Sequence, residues 1–193
     1  MARPVQIDRQ RALKAARGVF WRRGYNATSV SHLLDAMGMG AGSFYAAFDN
    51  KSRLFARVLD DYTDWSMDRF DAIREDVTGL SAVRSFLRET LIDVSDAERR
   101  KGCLLVNSVL ELGSVEPELY RRAASGLGRV NERLLQCVEE ARAEDSLRPD
   151  LTDEQIVRLL MTLIQGLRVE SRLGMTRDAA EQRLDSMLNL VSQ

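Results

Sequence analysis

At 193 residues, 45% of them apolar, the chain has ample length for a hydrophobic core, either as one compact body or as a small domain fused to a larger one. Two cysteines, Cys103 and Cys137, exclude a disulfide-stapled scaffold, and no apolar run approaches the roughly eighteen residues that cross a bilayer. The net charge of −1 is unevenly spread: residues 1–50 hold seven Arg or Lys against three Asp, a balance of +4, and the remainder carries −5.

Ala, Leu, Arg, Glu and Met recur, alternating β-branched runs are few, and only three prolines interrupt the chain, so the expected fold is all-α with about nine helices. No repeat, low-complexity tract or long linker is visible. Met1, Ala2, Arg3 and Pro4 lack the apolar core of a signal peptide, so the expected location is the cytoplasm.

The first predicted helix runs from about Asp8 to Arg23, with Ala12, Ala16, Val19 and Phe20 inside and Arg9, Arg11, Lys14, Arg17 and Arg22 outside; Gly24 stops it. Thr28 or Ser29 caps a second helix whose stripe is Val30, Leu33, Leu34 and Met37, and Gly38 turns the chain. Gly40 to Ala47 forms a third short segment, with Phe44 and Phe48 four apart and able to face the second helix. Helix, glycine turn, helix is the layout that reads duplex DNA, its second helix in the major groove. Asp49 or Asn50 then caps a further helix with Lys51 in its first turn, where a cation opposes the helix dipole unless an anion such as a DNA phosphate sits there.

Phe20, Gly24, Tyr25, Thr28, Ser29, Gly38, Gly42, Ser43, Phe44, Tyr45, Phe48, Lys51 and Leu54 together resemble the N-terminal signature of the TetR family of bacterial transcriptional regulators. The resemblance covers roughly residues 8–56. It implies an N-terminal three-helix DNA-binding domain over 1–50 and a larger helical effector-binding and dimerisation domain over 51–193. It also implies phosphate contacts from Thr28, Tyr45 and Lys51, with Gly40 to Ala46 in the groove, so that the DNA-binding set is Thr28, Ser29, Gly40, Ala41, Gly42, Ser43, Tyr45, Ala46 and Lys51. Where many relatives carry Lys, Arg or His toward the bases, this chain has Ala41, Ser43, Ala46 and Ala47, so direct readout is expected to be modest and shape readout larger. Arg3, ahead of the first helix, is either a minor-groove contact or a solvated tail residue.

The helix from Lys51 continues through Leu54, Val58, Tyr62 and Trp65 toward Ile73, long enough to join two domains. Val83 to Val94 gives another helix, and SDAERRK at 95–101 is a charged connection into an apolar helix from Cys103 to Gly113. Pro117 opens a helix reaching about Ala143, Thr152 or Asp153 caps the next, and Thr176 caps the last.

Cys103, Asn107 and Glu111 fall four apart on an otherwise apolar helix, and such a polar stripe needs either a cavity or bonds to neighbouring helices. On the cavity reading, with Trp65, Phe86, Met161 and Gln165 added, it walls the implied pocket for a small organic effector. Cys103, at a helix start after Arg99, Arg100 and Lys101, is either an electrophile- or oxidant-sensitive thiol or an inert packed cysteine. The helix of Ile156 to Leu173 is apolar on several sides, so either it is the buried central helix of a monomer or, as the resemblance implies, Leu160, Ile164 and Leu167, with Leu184 and Leu188 of the last helix, face a second copy in a homodimer.

The lone His32 has no triad, metal-spaced partner or phosphate-binding loop beside it, which argues against an enzyme, a cofactor or a metal. The expected function is a repressor released from a pseudo-palindromic operator by an effector. The alternative is a helical adaptor that binds protein without DNA, which leaves the basic N-terminal balance, Tyr45 and Lys51 unexplained.

Overall fold

The computed structural model describes residues 9–113 and 115–193, so Asp8 as a helix start and Arg3 as a DNA contact lie outside the described residues. The described chain is helical throughout: α1 Arg9–Arg23, α2 Val30–Met37, α3 Ala41–Phe48, α4 Lys51–Arg74, α5 Gly79–Leu87, α6 Asp96–Arg99, α7 Leu104–Leu112, α8 Pro117–Ala143, α9 Asp153–Arg172 and α10 Arg177–Asn189. α6 is a single turn inside the expected connection, and α5 runs on into a π-helical turn, Arg88–Ile92, that the residue spacing did not reveal. The β-type pairing among the described residues is one isolated bridge, Leu147 with Ser192. No described helix is long and apolar enough to cross a membrane.

The ends of these helices follow from residue chemistry. Thr152 Oγ1 accepts from the Gln155 amide while the Gln155 side chain accepts from the Thr152 amide, a reciprocal box that starts α9. Thr176 caps α10, and Pro117 opens α8, where a missing N–H costs nothing.

Two apolar cores share the molecule. One joins α1, α2, α3 and the first half of α4, then continues into Leu104, Leu105 and Leu112 of α7 and Leu119 and Ala123 of α8. The other lies among α5, the π turn, α8, α9 and α10. The long helices α4 and α8 lie side by side, and their ion pairs climb together: Asp60 with Arg122, Asp64 with Arg129, Asp71 with Arg133, and Arg74 with Glu140. The two helices therefore run parallel. The Asp60 and Asp64 pairs are exposed and weak alone and the Asp71 and Glu140 pairs are part-buried, and together the ladder favours one register. Gly126 lets the helices close up, since a Cβ there would lie 2.7 Å from Thr63 Oγ1 and 2.9 Å from a Leu105 methyl.

The expected dimer residues are placed otherwise. Leu160, Leu167, Leu184 and Leu188 are buried in the protomer's own core and Ile164 is half-buried against it. α9 is two-sided, not apolar all round. Its outer side carries Glu154, Arg158, Thr162, Gly166, Val169 and Arg172, leaving Leu160 and Leu167 to hold α9 in the core it shares with α8 and α10.

Candidate DNA-reading site and its link to the larger domain

Ser29 rather than Thr28 caps α2. Its hydroxyl accepts from the His32 amide at 3.2 Å, and His32 Nδ1 accepts from the Ser29 amide at 3.2 Å. The imidazole stands where a Glu or Gln usually closes such a box, which gives the lone histidine a structural role. Gly38 ends α2 in the left-handed region at φ 64°, a conformation open to glycine at little cost.

α3 has two unlike sides. Phe44 and Phe48 are buried and anchor it, whereas Ala41, Gly42, Ser43, Tyr45 and Ala46 are exposed, Tyr45 by 54%. A Cβ added at Gly40 or Gly42 would meet nothing within 4 Å, so a duplex can approach the backbone closely. Ala47, expected on this side, is half-buried against the core, and its carbonyl accepts from Arg57 at 3.2 Å. The connection to α4 is abrupt. Asp49 has φ 71° and ψ −57°, with the Asn50 amide donating to Phe48 at 2.8 Å, a γ-turn of the strained hand. Asn50 then caps α4 by accepting from the Arg53 amide at 2.8 Å.

Two of the expected phosphate contacts are occupied inside the protein. Thr28 is 1% exposed and its hydroxyl donates to the Gly24 carbonyl at 2.6 Å, so its side chain is not presented to DNA. Lys51 does lie in the first turn of α4, but its ammonium donates to the Tyr25 carbonyl at 3.1 Å and the Thr28 carbonyl at 3.0 Å and sits 4.1 Å from the Tyr25 ring centre. Those carbonyls supply the partner that offsets the unfavourable dipole. Of its three ammonium donors, one is left outside these bonds.

The turn between α1 and α2 is also held from the larger domain. Glu111 on α7 accepts from the Tyr25 amide at 2.9 Å and the Asn26 amide at 2.7 Å, one carboxylate oxygen each. Gly24, at φ +81°, leaves the space this carboxylate fills, since a Cβ there would stand 2.6 Å from Glu111 Oε2. Tyr25 donates its hydroxyl to Glu116 at 3.1 Å; burial, then that carboxylate, raises the phenol pKa above its ordinary value. Arg17 ties α1 to α4 through Asp61 at 2.9 Å and lies over Trp65 at 5.5 Å.

The expected effector residues do not share one cavity. Asn107 Nδ2 donates to the Lys101 carbonyl at 2.9 Å, Tyr62 donates its hydroxyl to Cys103 Sγ at 3.7 Å, and Glu111 is committed to the head. The stripe thus bonds to its neighbours. Asn107 and Glu111 line an open groove of about 470 Å³ between α1, α7 and the end of α9, not an enclosed chamber. Phe86 lines an apolar void of about 20 Å³ with Phe70, Leu134 and Ile164, and Arg133 at its edge is held by Asp71. Trp65 lies at the α1–α4 seam, Met161 packs against the second core, and Gln165 is half-buried on α9. Burial pushes the Cys137 thiol up to about 11, and Cys103 is half-buried. Among the described residues no cluster of three or more His, Cys, Asp or Glu is placed to hold a metal.

Residues 12–58 match the family model for bacterial regulatory proteins of the tetR family, and residues 79–187 match the tetracyclin repressor-like C-terminal domain. The chain is 31% identical to the HTH-type transcriptional repressor ComR of Escherichia coli (strain K12), across 97% of this chain and 90% of that one. A cysteine mutant of the regulator CifR, solved in complex with 26-base-pair double-strand operator DNA, superposes with a TM-score of 0.84 at 27% identity, covering 98% of this chain and 100% of that chain. The regulatory protein TetR from Rhodobacter sphaeroides superposes with a TM-score of 0.87 over 96% and 100% of the two chains, and at 20% identity this likeness speaks for the fold alone.

Proposed function

The chain belongs to the TetR family of bacterial regulatory proteins and is a DNA-binding transcriptional regulator; we propose that it is a repressor, released from a pseudo-palindromic operator by an effector taken up in residues 51–193. The observation that carries the reading is the outer side of α3, small, exposed and unobstructed from Gly40 to Ala46 and anchored from behind by Phe44 and Phe48. A similar protein, CifR, has been solved on operator DNA, which supports the same use here and does not favour an adaptor without DNA binding. In the groove, Ser43 and the alanine methyls meet base edges, while Tyr45, Ser29 and the third Lys51 donor meet phosphates. The protein works in the cytoplasm as a homodimer, because two heads on a two-fold axis match two half-sites. With Leu160, Leu167, Leu184 and Leu188 turned inward, the pairing surface is the outer side of α9, with Thr162, Gly166 and Val169, together with the exposed Ser186 of α10 and Leu190 just after it.

The effector enters the apolar space beside Phe86 and Ile164. That space must widen, since a small organic ligand needs on the order of 300 Å³ or more. Widening displaces α4 and α8 together, because their ladder favours one register. A coupling of about 1–3 kcal/mol lowers operator affinity several-fold to about a hundredfold. An electrophile acting on Cys103 is a second route to the same release, favoured by the incomplete burial of this residue at the start of α7.

Salt titration of binding to random duplex, followed by selection of genomic fragments, tests the reading. Phosphate contacts give a steep loss of affinity with salt, and selected fragments should share two half-sites at a spacing of about one helical turn or a multiple. A protein with no affinity for duplex at low salt is not a regulator of this kind. A ligand that binds tightly yet leaves operator affinity unchanged is not the effector.

A further inference from the structure

The α1–α2 turn is held peptide by peptide from opposite directions. Its amide donors at Tyr25 and Asn26 point to the Glu111 carboxylate, and its carbonyls at Tyr25 and Thr28 point to the Lys51 ammonium. Successive backbone N–H groups around one anion make a concave site of fixed geometry, and here the anion is a side chain of the other domain. Gly24 leaves room for it where any other residue would stand within 3 Å of the carboxylate. From this turn the bonds continue without a break: Thr28 donates to the Gly24 carbonyl, and Ser29, next in chain, caps α2, whose partner α3 is the reading helix. α7 itself, Leu104–Leu112, is about 13 Å long. Glu111 lies near its end, and its start at Cys103 lies against Tyr62 of α4.

We infer that Glu111 is a positioning residue through which α7, alongside α4, sets the angle of the DNA-reading head, so that release of its carboxylate from the Tyr25 and Asn26 amides is an output step of the switch. This rests on the regulator reading above. A tilt or partial unwinding of α7 withdraws the carboxylate. The head then keeps the packing of α1, α2 and α3 on the first half of α4, but loses the constraint that holds it in register with the head of the second copy.

The test uses full-length Glu111→Ala and Glu111→Gln, with Gly24→Ala reaching the same contact from the head's side. Three quantities are measured: affinity for the selected two-half-site duplex, affinity for a duplex with one half-site, and hydrogen exchange at the Tyr25 and Asn26 amides. Glu111→Ala should lose amide protection and bind the two-half-site duplex about 5- to 100-fold more weakly, while single-half-site affinity stays within about twofold. Glu111→Gln keeps a neutral acceptor and should fall between Glu111→Ala and wild type, and Gly24→Ala should resemble Glu111→Ala. A residue that merely stabilised the fold would weaken both duplexes alike, and that result overturns the inference, as does unchanged two-half-site affinity once amide protection is lost. If wild type binds no duplex, the regulator reading fails and takes the inference with it. If wild type binds and the variants keep its ratio of affinities, only the inference falls.

Discussion

Lys51→Ala separates two roles for one lysine. As a phosphate contact alone, its loss would weaken DNA binding and leave the free protein unaltered. The structure gives it two charge-assisted hydrogen bonds, to the carbonyls of Tyr25 and Thr28, and a ring contact with Tyr25. A hydrogen bond to a charged group contributes about 1.5–3 kcal/mol and an exposed cation–π contact about 0.5–1 kcal/mol. Lys51 is half-buried, so water replaces part of this, and removing a cation from a helix start returns about 0.3–1 kcal/mol. The expected net loss is about 2–4 kcal/mol. Urea unfolding without DNA measures it, and a melt should fall by roughly 2–4 °C for each kcal/mol in a chain of this size. Lys51→Met retains the stem over Tyr25 and isolates the ammonium, so it should lose most of the same stability. If Lys51→Ala unfolds within about 0.5 kcal/mol of wild type while the salt slope of DNA binding falls by about one ion, the internal strut is unimportant and the phosphate role was the whole of it.

Asp49→Gly should raise unfolding stability by about 1 kcal/mol, since relief of about 1–3 kcal/mol of backbone strain exceeds both the added freedom of the unfolded chain and the exposed Arg53 pair; a loss would show that the turn is unstrained. Mild N-ethylmaleimide treatment should give one adduct by intact mass, at Cys103, because burial holds the Cys137 thiol at about 11; labelling of Cys137 first would contradict its packing. Burial pushes the Glu140 carboxyl up, but the Gly79 amide and the Arg74 guanidinium outweigh it and hold it below its ordinary value. Its contribution is therefore present above the unfolded value near about 4.3 and is lost as pH falls through the lower folded value. The stability gap between wild type and Glu140→Gln should narrow over that acid range, and a gap that stays constant to pH about 3 refutes the assignment. Ser43→Ala should change the ranking of selected operators more than affinity for random duplex, and equal effects on both would place Ser43 on the backbone instead of the bases.

The short-range features were legible because local chemistry decides them. Ser29, Asn50, Thr152 and Thr176 all cap the helices the sequence placed after them, and Pro117 opens α8 where proline and acids indicated. The outer side of α3 was legible too, save Ala47, because Phe44 and Phe48 fix which side turns inward. What failed needed knowledge of partners. Thr28 has the residue type of a phosphate contact, but its hydroxyl is taken by the Gly24 carbonyl, and Lys51 spends two of its three donors on carbonyls that only the folded turn brings near. Glu111 lies four residues from Asn107 and looks like part of one pocket wall, yet its acceptors meet amides 85 and 86 residues away. Leu160 and Leu167 read as surplus apolar surface because the second core, assembled from α5, α8 and α10, cannot be counted from α9 alone.

The bare surface from Gly40 to Ala46 also bears on how such a protein changes its target. Because Ala41, Ser43 and Ala46 support nothing behind them and the space over Gly40 and Gly42 is empty, longer side chains can be installed there without disturbing Phe44 or Phe48. A lysine or arginine at position 41 or 46 would add an address on guanine worth about 1–3 kcal/mol of discrimination while the fold pays little for it. On the proposed reading α3 is thus close to an unwritten label, and a duplicated copy would reach a separate set of genes through one or two substitutions on this helix alone.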